Sequence, residues 1–196
     1  VVCYINSTAE LKGQGDVCVT SSNAIKIVRA LPNKNIFFIP DRNLGRYVAE
    51  QVPEKNIIIN NGYCPIHAAI TKRALLDLKE KYSSAPILIH PECEPELLEI
   101  AAYIGSTAEI IDYAAKSEQS EFIICTEDGV EYKLEKDNPE KKFYFPSPRP
   151  CCGDMKLNTL SSIYSVLKYE TNEVHVSEDV RLKAQRPLDR MLELGR

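Results

Sequence analysis

Short apolar runs rich in Val, Ile and Phe alternate along this chain with stretches of helical periodicity, the pattern of βα units around a mostly parallel sheet. The spacing predicts strands at 1–7, 36–40, 56–60, 86–90, 121–125 and 142–146. It predicts helices at 22–31, 43–51, 70–82, 95–103, 107–116, 127–136, 156–168 and 178–193. The last of these opens on Ser177 as an N-cap with acids in its first turn, and Pro187 is expected to kink it. Three segments, FFIPDRNLGRYVAE, ILIHPECEPELLEI and FIICTEDGVEYKLE, each run from an apolar strand through a polar or acidic turn into a helix. The βα architecture is therefore repeated, and the Pro-rich FPSPRPCC at 145–152 reads as a connection between units.

In parallel sheets of this kind the ligand crevice forms at the carboxyl ends of the strands. That singles out Tyr4 and Asn6, Asp41 and Arg42, His90 and Glu92, and Thr126 and Glu127. Tyr4 and Asn6 alternate and so share a face of the first strand. Thr20, Ser21, Ser22 and Asn23 precede one helix, and Ser106 and Thr107 begin another. Free N–H groups and the helix dipole make such starts anion sites, although ordinary N-caps have the same composition. His90 and Glu92, two apart across Pro91, can form a general acid/base pair; a satisfied strand-end histidine beside a solvated glutamate is the bland alternative. His175 alternates with Val174 and Val176 and reads as a solvent-facing strand residue without a functional role.

Composition narrows the partners. The formal charge is −4 and no Lys/Arg cluster exceeds a pair, so the electrostatic footprint of a nucleic-acid binder is missing. No apolar run approaches the roughly 20 residues needed to span a bilayer, and no signal peptide is evident, so no membrane association and a cytoplasmic location are expected. The start at Val1 reads as processing or truncation. Seven cysteines, an odd number without a Cys-x-x-Cys pair, argue against a disulfide framework and against the usual structural zinc spacing. Cys3, Cys18 and Cys125 lie in apolar runs as small buried hydrophobes, and the glutamates flanking Cys93 should raise its pKa. Cys64 and the Cys151–Cys152 pair differ, because each lies in a Pro/Gly-containing turn where a thiol can enter a shared cavity. Such thiolates suit an iron–sulfur cluster, with buried or incidental thiols as the other reading.

Taken in order, YINSTAELK, DVCVTSSNA, PDRNLGRYVAEQ, GYCPIH, HPECEPE, YIGST, CCGDMKLNTL and RPLDRMLEL resemble the quinolinate synthase family of NAD biosynthesis over essentially the whole chain. The resemblance implies a transferase with a [4Fe-4S] cluster that condenses iminoaspartate with dihydroxyacetone phosphate to quinolinate, losing water and phosphate. One iron without a cysteine ligand would act as the Lewis acid. It further implies an α/β fold of three pseudo-equivalent three-layer αβα units with short, mostly parallel sheets, two of which are present. On that scheme residues 1–63 are a partial second unit, 64–151 the third, and 152–196 a helical segment packing back toward the missing first unit.

Carried over by motif, the resemblance makes Cys64 and Cys152 metal ligands and Cys151 a bystander. It makes Tyr4, Asn6, Ser21, His90, Glu92, Ser106 and Thr107 substrate-binding, and Tyr4, His67, His90 and Glu92 catalytic, with Glu92 in proton transfer. A third cysteine ligand is not identified, so the chain is expected to be incomplete and inactive alone. Ala102 stands where an acidic residue is expected. The implied pathway partner is an iminoaspartate-producing L-aspartate oxidase or dehydrogenase. From a different class, the chain could be a non-catalytic α/β module that binds phosphometabolites or other proteins without iron.

Overall fold

Among residues 1–195, which the computed structural model describes, the apolar runs pair into two four-stranded sheets in which every neighbouring pair is parallel. The first contains β1 (Val2–Tyr4), β2 (Val17–Val19), β3 (Asn35–Ile39) and β4 (Asn56–Ile59), in the order β2-β1-β3-β4. The second contains β5 (Ile87–Ile89), β6 (Tyr103–Ile104), β7 (Glu121–Cys125) and β8 (Lys142–Tyr144), in the order β6-β5-β7-β8. The same topology thus occurs twice. In each sheet the chain leaves the first strand toward one edge and the third strand toward the other, so a crevice opens between their carboxyl ends.

Helices α1 (Ala9–Lys12), α2 (Ala24–Ala30) and α3 (Arg42–Gln51) link the strands of the first unit, and α4 (Pro65–Ala68) and α5 (Lys72–Lys81) lead into the second. There α6 (Pro95–Leu98), α7 (Thr107–Lys116) and α8 (Glu131–Asp137) play the linking part, and α9 (Leu160–Tyr169) and α10 (Glu178–Gly195) follow. Side chains that alternate along β5 and β7 divide between two cores. Ile87, Ile89, Ile123 and Cys125 face Leu75 and Leu97, whereas Leu88, Phe122 and Ile124 face Ile110, Ala114 and Leu134. Helices therefore cover both faces of this sheet, which is why its strands read as unbroken apolar runs. No helix of the described residues is long and apolar enough to cross a membrane.

Most predicted elements stand within a few residues of their expected places, and the differences have local causes. The edge strands β2 and β6 are absent from the prediction because three and two residues are too short to display a period. Tyr103 and Ile104, the former read as a helix end, belong to β6, and the helix begun at Pro95 stops at Leu98. The helix expected from residue 22 starts at Ala24, because the Asn23 side chain folds back to accept the Thr20 N–H at 2.6 Å. The helix expected at 127–136 opens as a 3-10 turn, Asp128–Val130, and the one at 156–168 splits into a 3-10 turn, Met155–Leu157, and α9, which a Thr159–Ser162 capping box starts afresh. Pro187 does not interrupt α10, which buries it with Ala184 and Met191 as the helix packs over α1, α2 and β2. His175 is exposed, as expected, but in irregular chain and not in a strand.

Candidate functional site

The carboxyl ends of β1 and β3 meet the start of the second unit around a cavity of about 560 Å³. Tyr4 and Asn6 enter it from β1, Asp41 from β3, Cys64 from the turn before α4, Glu92 from the end of β5, and Cys152 from the chain after β8. Residues up to 148 positions apart in sequence thus share one wall. Asn6 donates from Nδ2 to the Tyr4 hydroxyl at 3.2 Å, and that hydroxyl also interacts with Glu92 and Ser21. Burial, then the charge of Glu92, pushes the Tyr4 phenol far above its ordinary range, so it is a neutral donor.

Behind this wall lies a buried polar network. His67 Nδ1 is 3.0 Å from Glu92 Oε2 and 3.2 Å from Cys64 Sγ, and its Nε2 is 3.1 Å from Thr126 Oγ1. Burial alone would lower the His67 pKa, but contacts with Cys64 and Glu92 outweigh it and raise the value to about 10. Burial likewise opposes ionisation of Glu92, yet His67 and His90 hold its carboxyl down at about 2. His90 stacks on His67 with ring centroids 4.7 Å apart, and burial followed by the neighbouring charge depresses it to about 4. One imidazolium, one carboxylate and one neutral imidazole are therefore packed together. Glu92 Oε1 is buried without a hydrogen-bond partner, which leaves an acceptor on a cavity-lining residue.

The first unit also grips this loop. Asn43 donates from Nδ2 to the Glu92 carbonyl at 3.0 Å, and Arg42 pairs with Glu94 at 2.5 Å while lying over the Tyr63 ring. The sequence pattern does not single out Asn43 and marks Thr126 only as a strand-end residue. Their partners lie 49 and 59 residues away, and no local pattern marks such contacts.

Other predicted residues stand apart. His90 and Ser21 support cavity residues without lining it. Ser106 caps α7: its hydroxyl donates to Glu109 Oε2 at 2.6 Å and accepts the Glu109 N–H, so the functional group is already engaged. Neither it nor Thr107 lines the cavity. Cys151 is exposed and outside it as well. Cys3, Cys18 and Cys125 are buried in the cores, as expected. Cys93 is also buried, 3.7 Å from Cys125 Sγ. Its pKa is pushed well up by Cys125 and by burial, with Glu92 a lesser contributor.

Two groups of ligating atoms converge within 4.8 Å among the described residues: Cys64, His67 and Glu92, and Glu127, Asp128 and Cys151. In the second, the Lys156 ammonium already sits 3.0 Å from Glu127 and 3.2 Å from Asp128, taking the place of a cation. An iron–sulfur cluster suits the main cavity in part. Two thiols, Cys64 and Cys152, face the same space, and among the described residues no third cysteine lines it. Two thiols are a soft donor pair, one short of the three cysteines that a cluster with one open iron requires.

A family model described as quinolinate synthetase A protein matches residues 1–193. A quinolinate synthase of Clostridioides difficile (strain 630) is 49% identical over 195 residues, covering 100% of this chain and 64% of the relative. One of Caldicellulosiruptor saccharolyticus is 50% identical over 195 residues, again with 100% of this chain and 64% of the relative covered. One of Aquifex aeolicus (strain VF5) is 46% identical over 199 residues, with 99% and 62% covered. The chain thus spans somewhat less than two thirds of the length of these curated relatives.

Proposed function

The chain belongs to the quinolinate synthetase A protein family, and on that premise we propose that it forms the ligand and acid/base wall of a quinolinate synthase site. There iminoaspartate and dihydroxyacetone phosphate condense to quinolinate with loss of phosphate and water. The observation that carries this reading is the meeting of Cys64, Cys152, Tyr4 and Glu92 on one cavity. A [4Fe-4S] cluster held by Cys64, Cys152 and a cysteine from outside this chain would supply Lewis acidity at an iron free of protein ligands.

The chain's own groups do the rest. Glu92, held ionised by His67 and His90, offers its unpartnered Oε1 to a substrate proton or N–H. Its other oxygen accepts from His67 Nδ1, and His67 Nε2 donates to Thr126, so the imidazolium is fixed at both ends and holds the carboxylate in orientation. Tyr4, neutral and oriented by Asn6, donates toward a substrate oxygen. An L-aspartate oxidase or dehydrogenase would supply the iminoaspartate.

The test is anaerobic reconstitution of the full-length protein with iron and sulfide, followed by iron content and quinolinate formation. Cys64→Ala and Cys152→Ala should each abolish both, and Cys151→Ala should leave both intact. Iron and activity undiminished without Cys64 or Cys152 would overturn the assignment. Supplied alone, this chain should retain cluster and form product only when the rest of the protein is added in trans. Binding of a dicarboxylate or triose phosphate by an iron-free full-length protein that makes no quinolinate would instead support the non-catalytic module.

A further inference from the structure

We propose that Asp41 and Glu127 are a duplicated pair of positioning residues that set the Cys64 and Cys152 turns by accepting the backbone N–H of each cysteine. The inference rests on the assignment of these cysteines as ligands and adds the groups that hold them.

The duplication is visible bond by bond. Asp41 follows β3 and Glu127 follows β7, the third strands of the two equivalent sheets. Asp41 Oδ2 accepts the Cys64 N–H at 2.9 Å, and Glu127 Oε1 accepts the Cys152 N–H at 3.2 Å. The residue after each carboxylate makes the second tie: Arg42 N–H donates to the Gly62 carbonyl at 2.7 Å, and Asp128 N–H donates to the Pro150 carbonyl at 2.9 Å. Each of those carbonyls lies two residues before its cysteine. The remaining carboxylate oxygen caps the following turn, taking Leu44 N–H in one unit and Gly129 N–H in the other, both at 2.7 Å. Both side chains are buried, at 4% and 7% exposure.

Three matched hydrogen bonds in each unit, separated by a whole repeat, identify Cys152 and not Cys151 as the counterpart of Cys64. The match is one of geometry, because the two carboxylates differ by a methylene. A carboxylate suits the task better than an amide. Both oxygens accept, whereas the NH₂ of Asn or Gln would point a donor at a donor. Buried groups that orient a metal's ligands tune its retention and its potential.

Asp41→Asn and Glu127→Gln in the full-length protein, reconstituted anaerobically with iron and sulfide, test the proposal at pH 8. Each variant should lose iron to a chelator about tenfold faster than wild type. Each should also shift the cluster's reduction potential upward, since a buried negative charge near it is gone. Wild-type iron retention and potential in both variants would overturn the proposal. Should either variant fail to fold, hydrogen exchange on the wild-type protein decides: the Cys64 and Cys152 amides should be protected like strand amides, and exchange at open-loop rates would overturn it. A wild-type protein that takes up no iron would sink the ligand assignment alone, because amide protection in the metal-free protein still reports on Asp41 and Glu127.

Discussion

Replacing Asn43 with alanine removes a hydrogen bond that joins the two units at Glu92. Its Nδ2 donates to the Glu92 carbonyl at 3.0 Å, and the side chain is almost completely buried. Leaving a buried acceptor unpaired costs about 1–3 kcal/mol. Asn43 Oδ1, however, is itself buried without a partner, and alanine removes that penalty too. Those two effects largely cancel, and the void left by truncating a fully buried side chain makes the net loss, so Asn43→Ala should destabilise by about 1–2 kcal/mol. Asn43→Asp keeps the volume but sets a carboxylate against the Glu92 carbonyl and beside Glu94, and should cost about 3 kcal/mol or more. Denaturant unfolding of the full-length protein measures both. Quinolinate formation should fall about 10- to 100-fold in the alanine variant, because Glu92 is no longer held in register. An alanine variant as stable as wild type, or an aspartate variant no worse than alanine, would refute the reasoning, since either result means that the Glu92 carbonyl does not depend on this donor.

Three further outcomes follow from the same geometry. Arg42→Lys should cost about 1 kcal/mol by double-mutant cycle with Tyr63→Ala, because lysine keeps the charge toward Glu94 but loses the planar stacking over Tyr63, 4.3 Å from its ring centroid. Gly62→Ala should destabilise by about 1–3 kcal/mol and lower iron uptake, since a Cβ there would lie 2.6 Å from the Pro40 carbonyl oxygen and displace the turn that carries Cys64. His90, depressed to about 4 against 6.5 in the unfolded chain, gives an acid-side pH dependence. Between those values the unfolded chain binds a proton that the folded chain refuses, so stability is complete above pH 6.5 and is lost as pH falls toward 4, by roughly 3 kcal/mol in all. Asp41, which burial raises to about 6, takes up its proton first in the folded chain and opposes this loss over the same window. Metal-free unfolding at pH 6.5 and 4.5 should therefore show the His90 contribution as the difference in slope between wild type and His90→Gln.

Much of the fold was legible because parallel strands covered on both faces must be apolar along their whole length. β7 and α7 begin and end where the pattern places them. What escaped was short or nonlocal. β2 and β6 contribute two or three residues each and hold their places through pairing with β1 and β5. The chain before α10 has strand-like alternation at Val174, His175 and Val176 but no neighbouring strand to pair with, so it stays irregular. Of the three similar segments seen in the sequence, those entering from β3 and β7 occupy equivalent places, while the one from β5 corresponds to the first strand of its sheet.

The site divides in the same way. Sequence alone determined the residue types available: thiols in Pro/Gly turns, His90 and Glu92 at one strand end, and Tyr4 with Asn6 at another. Local chemistry and the rule that ligands gather at carboxyl ends of parallel strands sufficed for that. Only the tertiary structure decided which of these meet. Asp41 and Glu127 find the cysteine turns 23 and 25 residues away, Asn43 reaches Glu92 across the boundary between units, and Thr126 reaches His67 from 59 residues away within the second. Such contacts are fixed by the packing of whole sheets, so they leave no period or spacing for a one-dimensional pattern to reveal.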